Sequence, residues 1–146
     1  MDLPGFNEIG DLPGDVHEAS LEDVVARFGV GTQRRVNLGI RLQGIHRLAL
    51  QTGFLARFIV FGSFVTAKPE PGDVDVFMLM EDDFDVAQVK GDAKMLFDYP
   101  VAKVHFGASI FWLRGVSTLG GEQYTIDSWQ YKRDGGWRGI VEIVSE

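Results

Sequence analysis

The sequence contains no cysteine, which excludes disulfide bonds, zinc–thiolate sites, iron–sulfur clusters and cysteine nucleophiles. It also lacks an apolar run near the ~20 residues of a membrane-spanning helix. The start, Met1-Asp2-Leu3, has neither the basic nor the apolar region of a signal peptide, so we expect a cytoplasmic protein without membrane contact. What is present, 146 residues with 45% hydrophobic and 24% charged, is typical of one globular domain.

Acidic residues are absent from residues 24–69, a stretch that carries six arginines and one lysine. Between residues 70 and 98 the balance reverses, with nine acidic residues against two lysines, and this excess equals the whole net charge of −7. General nucleic-acid binding is disfavoured, because proteins with that function are usually basic overall. Two interpretations stay open: a local basic face, or pairing of the two blocks across the folded surface.

The pattern of apolar residues predicts an α/β fold of the α+β kind, with a mixed β-sheet flanked by helices. We expect an irregular N-terminal arm over residues 1–19, which contains Leu-Pro-Gly twice, and a single domain over residues 20–146. Helices are predicted at 20–29, at about 32–51 and, weakly, at 84–97. The predicted strands are 55–61, 73–80 and 103–113, with a C-terminal β-hairpin of 124–133 and 137–144.

The residues best suited to chemistry lie at the ends of two of these strands. One pair follows the strand 55–61, and the other lies at the start of the strand 73–80. Gly62 and Ser63 come directly after a buried strand, where backbone N–H groups and a hydroxyl at a turn suit a phosphate. Asp73 and Asp75 stand two residues apart on the next strand, so both carboxylates are expected on one face. Two close carboxylates repel each other unless a cation lies between them, which suits Mg²⁺ held together with substrate phosphates.

A strand, a Gly-Ser turn and an Asp-hydrophobic-Asp strand about ten residues later resemble the nucleotidyltransferase superfamily of the DNA polymerase beta type. More closely, the chain resembles a family of small bacterial nucleotidyltransferase-like proteins. The matching stretches lie at residues 12–19, 62–66, 68–75, 132–135 and 139–142. The resemblance implies a nucleotidyltransferase-like fold that binds a nucleoside triphosphate and Mg²⁺.

The same resemblance assigns roles to individual residues. Gly62 and Ser63 would hold the phosphates, and Asp73 and Asp75 would be catalytic and would ligate the metal. Lys68, the nearest basic residue in the sequence, would offset the charge of the triphosphate.

The superfamily normally brings a third carboxylate from a later strand to the same metal. The predicted strand 103–113 contains no Asp or Glu, and Ser109 stands on its polar face where the acid is expected, with His105 further up. Glu142, in the last predicted strand, is the other candidate for the third position. A serine can orient a water but supplies no anionic ligand.

Two functions therefore stay open. The leading one is Mg²⁺-dependent transfer of a nucleoside monophosphate from a nucleoside triphosphate to an acceptor hydroxyl. The alternative is a catalytically degenerate nucleotidyltransferase-fold protein that acts through a protein partner, for example as a toxin–antitoxin component. The aromatic residues Phe111, Trp112, Trp129 and Trp137 are interpreted as packing residues and not as base-stacking platforms.

Overall fold

The computed structural model describes residues 3–145, and its centre is a five-stranded mixed sheet. The strands are β1 (Val16–Ala19), β2 (Leu55–Phe61), β3 (Val74–Met80), β4 (Ala108–Arg114) and β5 (Ile140–Ile143). They lie in the order β1-β5-β2-β3-β4. The β1–β5 and β3–β4 pairs are parallel, whereas β2 is antiparallel to both β3 and β5. The mixed α/β class predicted from the sequence is confirmed.

Four α-helices lie in the described part of the chain: α1 (Leu21–Phe28), α2 (Gln33–Gln51), α3 (Tyr99–Phe106) and α4 (Glu122–Ser128). Ser20 and Thr32 begin the first two helices, because their hydroxyls accept hydrogen bonds from the N–H groups of Asp23 and Arg35. Both helices agree with the sequence prediction. Among residues 3–145, no helix has the length and apolar character needed to cross a membrane.

Strand alternation divides the buried residues between the two faces of the sheet. On the first face, even-numbered residues of β2, β3 and β4 join the large core with α1 and α2. On the second face, Ile59, Phe77 and Leu79 form a smaller core with Ile126 of α4 and with Ile140. Asp75 has the same parity as Phe77 and therefore belongs to the second face.

The predicted strand 103–113 begins too early. Residues 99–106 form α3, which Asp98 caps by accepting a hydrogen bond from the N–H of Val101, and Gly107 ends it with a φ of 63°. Lys103 and His105 are therefore helical and do not continue the polar face of Ser109. The weak helix predicted at 84–97 is replaced by two 3₁₀ segments, Val86–Gln88 and Gly91–Phe97.

The predicted C-terminal β-hairpin is wrong. Its first arm contains α4, and Tyr131 pairs with Trp137 only in an isolated antiparallel bridge. The second arm supplies β5, whose partners are β1 and β2. Residues 16–19 of the expected irregular arm thus form an edge strand, while residues 1 and 2 of that arm and residue 146 of the domain lie outside the described residues. The Asp134-Gly135-Gly136 turn favours pairing of β5 with the segment just before it. In the structure β5 instead pairs with β1, which is distant in sequence.

Candidate functional site

The turn after β2 is fitted closely against β3. Gly62 has a φ of 79°, in the left-handed region that favours glycine, and Ser63 begins a 3₁₀ turn that ends at Val65. A Cβ atom added to Gly62 would stand 2.9 Å from Cγ of Asp75 and would collide with the carboxylate. Glycine at this position therefore lets the backbone of the turn approach the Asp75 side chain.

Asp73 and Asp75 converge at the start of β3, as their spacing predicts. Oδ2 of Asp73 accepts hydrogen bonds from Oγ of Ser109, at 2.9 Å, and from Nζ of Lys103. Ser109 lies directly opposite Asp75 in the β3–β4 register. Nζ of Lys103 also donates to Oγ of Ser109 at 3.1 Å, so a lysine ammonium already accompanies these two groups.

The two carboxyl groups differ in their proton affinity. Burial would raise the pKa of Asp73, but hydrogen bonds from Lys103 and Ser109, together with the charge of Lys103, hold it below its usual value. Burial, reinforced by the negative charge of Asp73, raises the pKa of Asp75 to about 7. Asp75 is therefore the carboxyl group of the pair that holds a proton more strongly.

A cleft of about 540 Å³ opens beside Asp75 on the second face of the sheet. Its lining includes the Gly62-Ser63 turn, Asp75 and Ser109 on one side and the segment 131–134 with Arg138 on the other. Nζ of Lys132 lies 3.0 Å from Oδ2 of the buried Asp11, and the Arg138 guanidinium lies 3.7 Å from Oδ1 of the same residue. These ion pairs hold two cations at the rim of the cleft.

Arg133 brings a further positive charge to the cleft. Its side chain is exposed, and it has no ion-pair partner among residues 3–145. Positive side chains around a concave site that begins at a Gly-Ser turn suit a polyanionic ligand.

Two residues predicted for the site lie elsewhere. Lys68 is exposed and does not line the cleft; its backbone carbonyl accepts a hydrogen bond from Arg35. Glu142 is bound by Arg57 through two hydrogen bonds of 2.6 and 2.8 Å and lines a different cavity. Glu142 therefore does not supply the third carboxylate, and the position beside Asp75 is occupied by Ser109.

The donor set fits one metal ion that shares its coordination with a ligand. Residues 3–145 contain no group of three or more His, Cys, Asp or Glu side chains placed to hold a metal. Two carboxylates are nevertheless enough for Mg²⁺, which commonly takes its other ligands from phosphates and water. Asp73 and Asp75 would hold such an ion, and its charge would offset the repulsion between the two carboxylates.

Sequence reasoning missed Lys103, Arg138 and the basic role of Lys132 and Arg133. The last two lie inside a stretch that carries the family resemblance, but the predicted hairpin places them at the end of its first strand. Lys103 was assigned to a strand, where its side chain would have lain six residues from Ser109 along the same face. The helical turn of α3 instead folds it back onto Asp73.

Comparison with known proteins gives one match. Residues 4–144 match the model of a family described as a family of unknown function, DUF6932. No curated protein and no solved structure is significantly similar to the chain.

Proposed function

The chain belongs to the DUF6932 family, and we propose that it is a nucleotidyltransferase-like protein that binds a nucleoside triphosphate together with Mg²⁺ in the cleft beside Asp75. The reaction that this site would perform is the transfer of a nucleoside monophosphate to an acceptor hydroxyl. The proposed fold is that of the DNA polymerase beta-type superfamily.

One observation carries the proposal: the Gly62-Ser63 turn and the Asp75 carboxylate meet in one cleft whose opposite wall is basic. A phosphate chain needs backbone N–H groups and positive charge, whereas a divalent ion needs carboxylates. A ligand that brings phosphates and metal together satisfies both sides of this cleft. Lys132 and Arg138 already pair with Asp11, and a phosphate chain would add a partner for Arg133, which has no ion pair among residues 3–145.

Each group in the cleft has a distinct task in this scheme. The first N–H groups of the turn at Ser63 have no partner within the turn and would bind the terminal phosphates. Lys132, Arg133 and Arg138 would neutralise the remaining charge, a role that sequence reasoning gave to Lys68. Asp73 and Asp75 would hold the metal, and a bound Mg²⁺ would supply charge neutralisation at the phosphates. The oxygen of the acceptor hydroxyl would attack the α-phosphorus and give up its proton to solvent water, and pyrophosphate would leave with the electrons of the broken P–O bond.

A thermal-shift titration tests the binding step. We expect a nucleoside triphosphate with Mg²⁺ to raise the Tm of the wild type, since a ligand at a hundredfold excess over Kd stabilises the native state by roughly 2.7 kcal/mol. Asp75→Asn should lose most of this shift, whereas Asp83→Asn, a change at an exposed acid outside the cleft, should keep it. The proposal fails if no triphosphate shifts the wild type at saturating Mg²⁺.

The structure also favours the alternative, a catalytically degenerate protein that acts through a partner. Ser109 occupies the place of the third carboxylate, and the Lys103 ammonium contacts Asp73 where a cation would bind. Release of pyrophosphate from the triphosphate, with water or any alcohol as acceptor, distinguishes the two. Release by the wild type that Asp75→Asn abolishes supports the transferase, while binding without release supports the alternative.

A further inference from the structure

A second cavity adjoins the cleft and has a contrasting lining. It measures about 520 Å³ and lies along the edge strand β4, where its lining residues are all apolar or aromatic, among them Phe77, Phe97, Ile110, Trp112 and Leu113. We call this cavity the aromatic groove. The cleft carries the charged residues described above, whereas the groove has none in its lining.

Three aromatic side chains, Tyr99, Phe111 and Trp129, line both cavities. The ring centroids of Tyr99 and Phe111 are 5.2 Å apart, and those of Phe111 and Trp129 are 5.1 Å apart. The rings thus form a continuous row between the charged site and the groove. Tyr99 links the two chemically as well, because its hydroxyl lies 3.4 Å from Oγ of Ser109, the hydrogen-bond partner of Asp73.

We infer that the aromatic groove binds the base of the nucleotide whose phosphates occupy the cleft. This inference rests on the proposed function and extends it from phosphate binding to recognition of the whole nucleotide. It also revises the interpretation of Phe111 and Trp129 as packing residues alone. A nucleotide joins an anionic phosphate chain to a planar base. This combination matches a basic cavity and an apolar cavity that share an aromatic wall.

The exposure of these rings supports a binding role over a purely structural one. Tyr99 is 44% exposed, and Phe111 and Trp129 are only partly buried, so all three rings reach the surface of the cavities that they line. The indole N–H of Trp129 is buried and has no hydrogen-bond partner among residues 3–145. The ring is therefore held by its aromatic neighbours and can change its packing without breaking a hydrogen bond of its own.

Comparison of a nucleotide with inorganic tripolyphosphate isolates the contribution of the base. With Mg²⁺ and the full-length wild type, we expect ATP to bind at least about fivefold more tightly than tripolyphosphate, the fold-change that corresponds to about 1 kcal/mol of stacking. Tyr99→Leu should reduce this ratio towards one, whereas Tyr99→Phe, which keeps the ring and loses only the hydroxyl that contacts Ser109, should preserve it. Tyr124→Leu is the matched control, because Tyr124 is an exposed tyrosine that lines neither cavity.

Fluorescence supplies a second measurement that does not depend on the stability of the Tyr99 variant. In a Trp112→Phe/Trp137→Phe double variant, Trp129 is the only tryptophan, and we expect ATP but not tripolyphosphate to quench its emission. If ATP and tripolyphosphate bind equally and neither quenches, the base does not occupy the groove, and the inference fails while phosphate binding stands. If neither ligand binds at all, the proposed function fails as well.

Discussion

On the first face of the sheet, α1 and α2 cover an aliphatic and aromatic core in which Leu42, Ile45 and Ala49 are completely buried. On the second face, the short helix α4 covers a much smaller core, and the rest is left to the cleft, which the aromatic groove adjoins at the edge strand β4. Burial of apolar area is the main source of folding free energy. The comparison therefore indicates that the first face provides most of the stability, while the second carries the charged and aromatic residues of the site.

Two matched isoleucine substitutions test this division directly. Ile45 of α2 and Ile126 of α4 are both fully buried, one on each face. We expect Ile45→Ala to lower the free energy of unfolding by about 4 kcal/mol and Ile126→Ala by about 2 kcal/mol, because the thin second layer relaxes more easily around a cavity. Chemical denaturation of both variants gives the two values. Equal losses would contradict the unequal roles of the faces.

Two neighbouring arginines of α2 allow a comparison of a buried charged side chain with an exposed one. The buried Arg35 guanidinium donates to the carbonyls of Phe28, Phe64, Thr66 and Lys68 at 2.5 to 3.0 Å, whereas Arg34 forms an exposed ion pair with Glu70 at 3.3 Å. Burial lowers the pKa of Arg35, but the four carbonyls accept its hydrogen bonds and position the chain after the Gly-Ser turn.

We expect Arg35→Met to destabilise the protein by about 3 kcal/mol, because buried carbonyls lose a charged donor. Arg34→Met, which removes an exposed pair, should cost about 0–1 kcal/mol. Denaturation midpoints of the two variants, measured side by side, check the difference. A cost for Arg35→Met as small as that for Arg34→Met would show that its hydrogen bonds contribute little.

The sequence predicted those parts of the molecule whose signals are local. Ser20 and Thr32 mark the starts of α1 and α2, and strand parity places Asp73, Asp75 and Ser109 together. The distant partners were not predictable in this way. Pairing of β5 with Val16–Ala19 and the approach of Lys132 and Arg138 to Asp11 join residues more than a hundred positions apart. Such contacts leave no periodicity within either segment.

The Asp75 carboxyl, on the second face, should make the stability of the protein depend on pH. Its pKa is raised from 3.8 to about 7, so the folded protein binds more protons than the unfolded chain between these values. The stabilising contribution is present below pH 3.8 and is lost as the pH rises through about 7. Asp75→Asn removes the charge, and at pH 8 with a chelator we expect its Tm to exceed that of the wild type by a few degrees.

Thermal scans of both proteins between pH 4 and pH 8 with a chelator present check this sign. The advantage of Asp75→Asn should shrink as the pH falls, because the wild-type carboxyl then keeps its proton. An advantage that is constant across this range would show that Asp75 does not titrate with the raised pKa.

The smallest expected effect on stability concerns Lys103, whose side chain is 46% exposed and whose ammonium contacts Asp73. Exposed ion pairs contribute about 0–1 kcal/mol, so Lys103→Met should change the Tm only slightly in a chelator.

The effect of Lys103→Met on metal binding should be larger. The Asp73 carboxylate then has no resident cation, and a divalent ion no longer competes with an ammonium for the same oxygen. We expect the Mg²⁺-induced rise in Tm to be greater for Lys103→Met than for the wild type, and unchanged for Lys94→Met, an exposed lysine outside the cleft. Equal Mg²⁺ responses in all three proteins would mean that Lys103 does not occupy the place of the metal, and the weakness of the site would then lie with Ser109 alone.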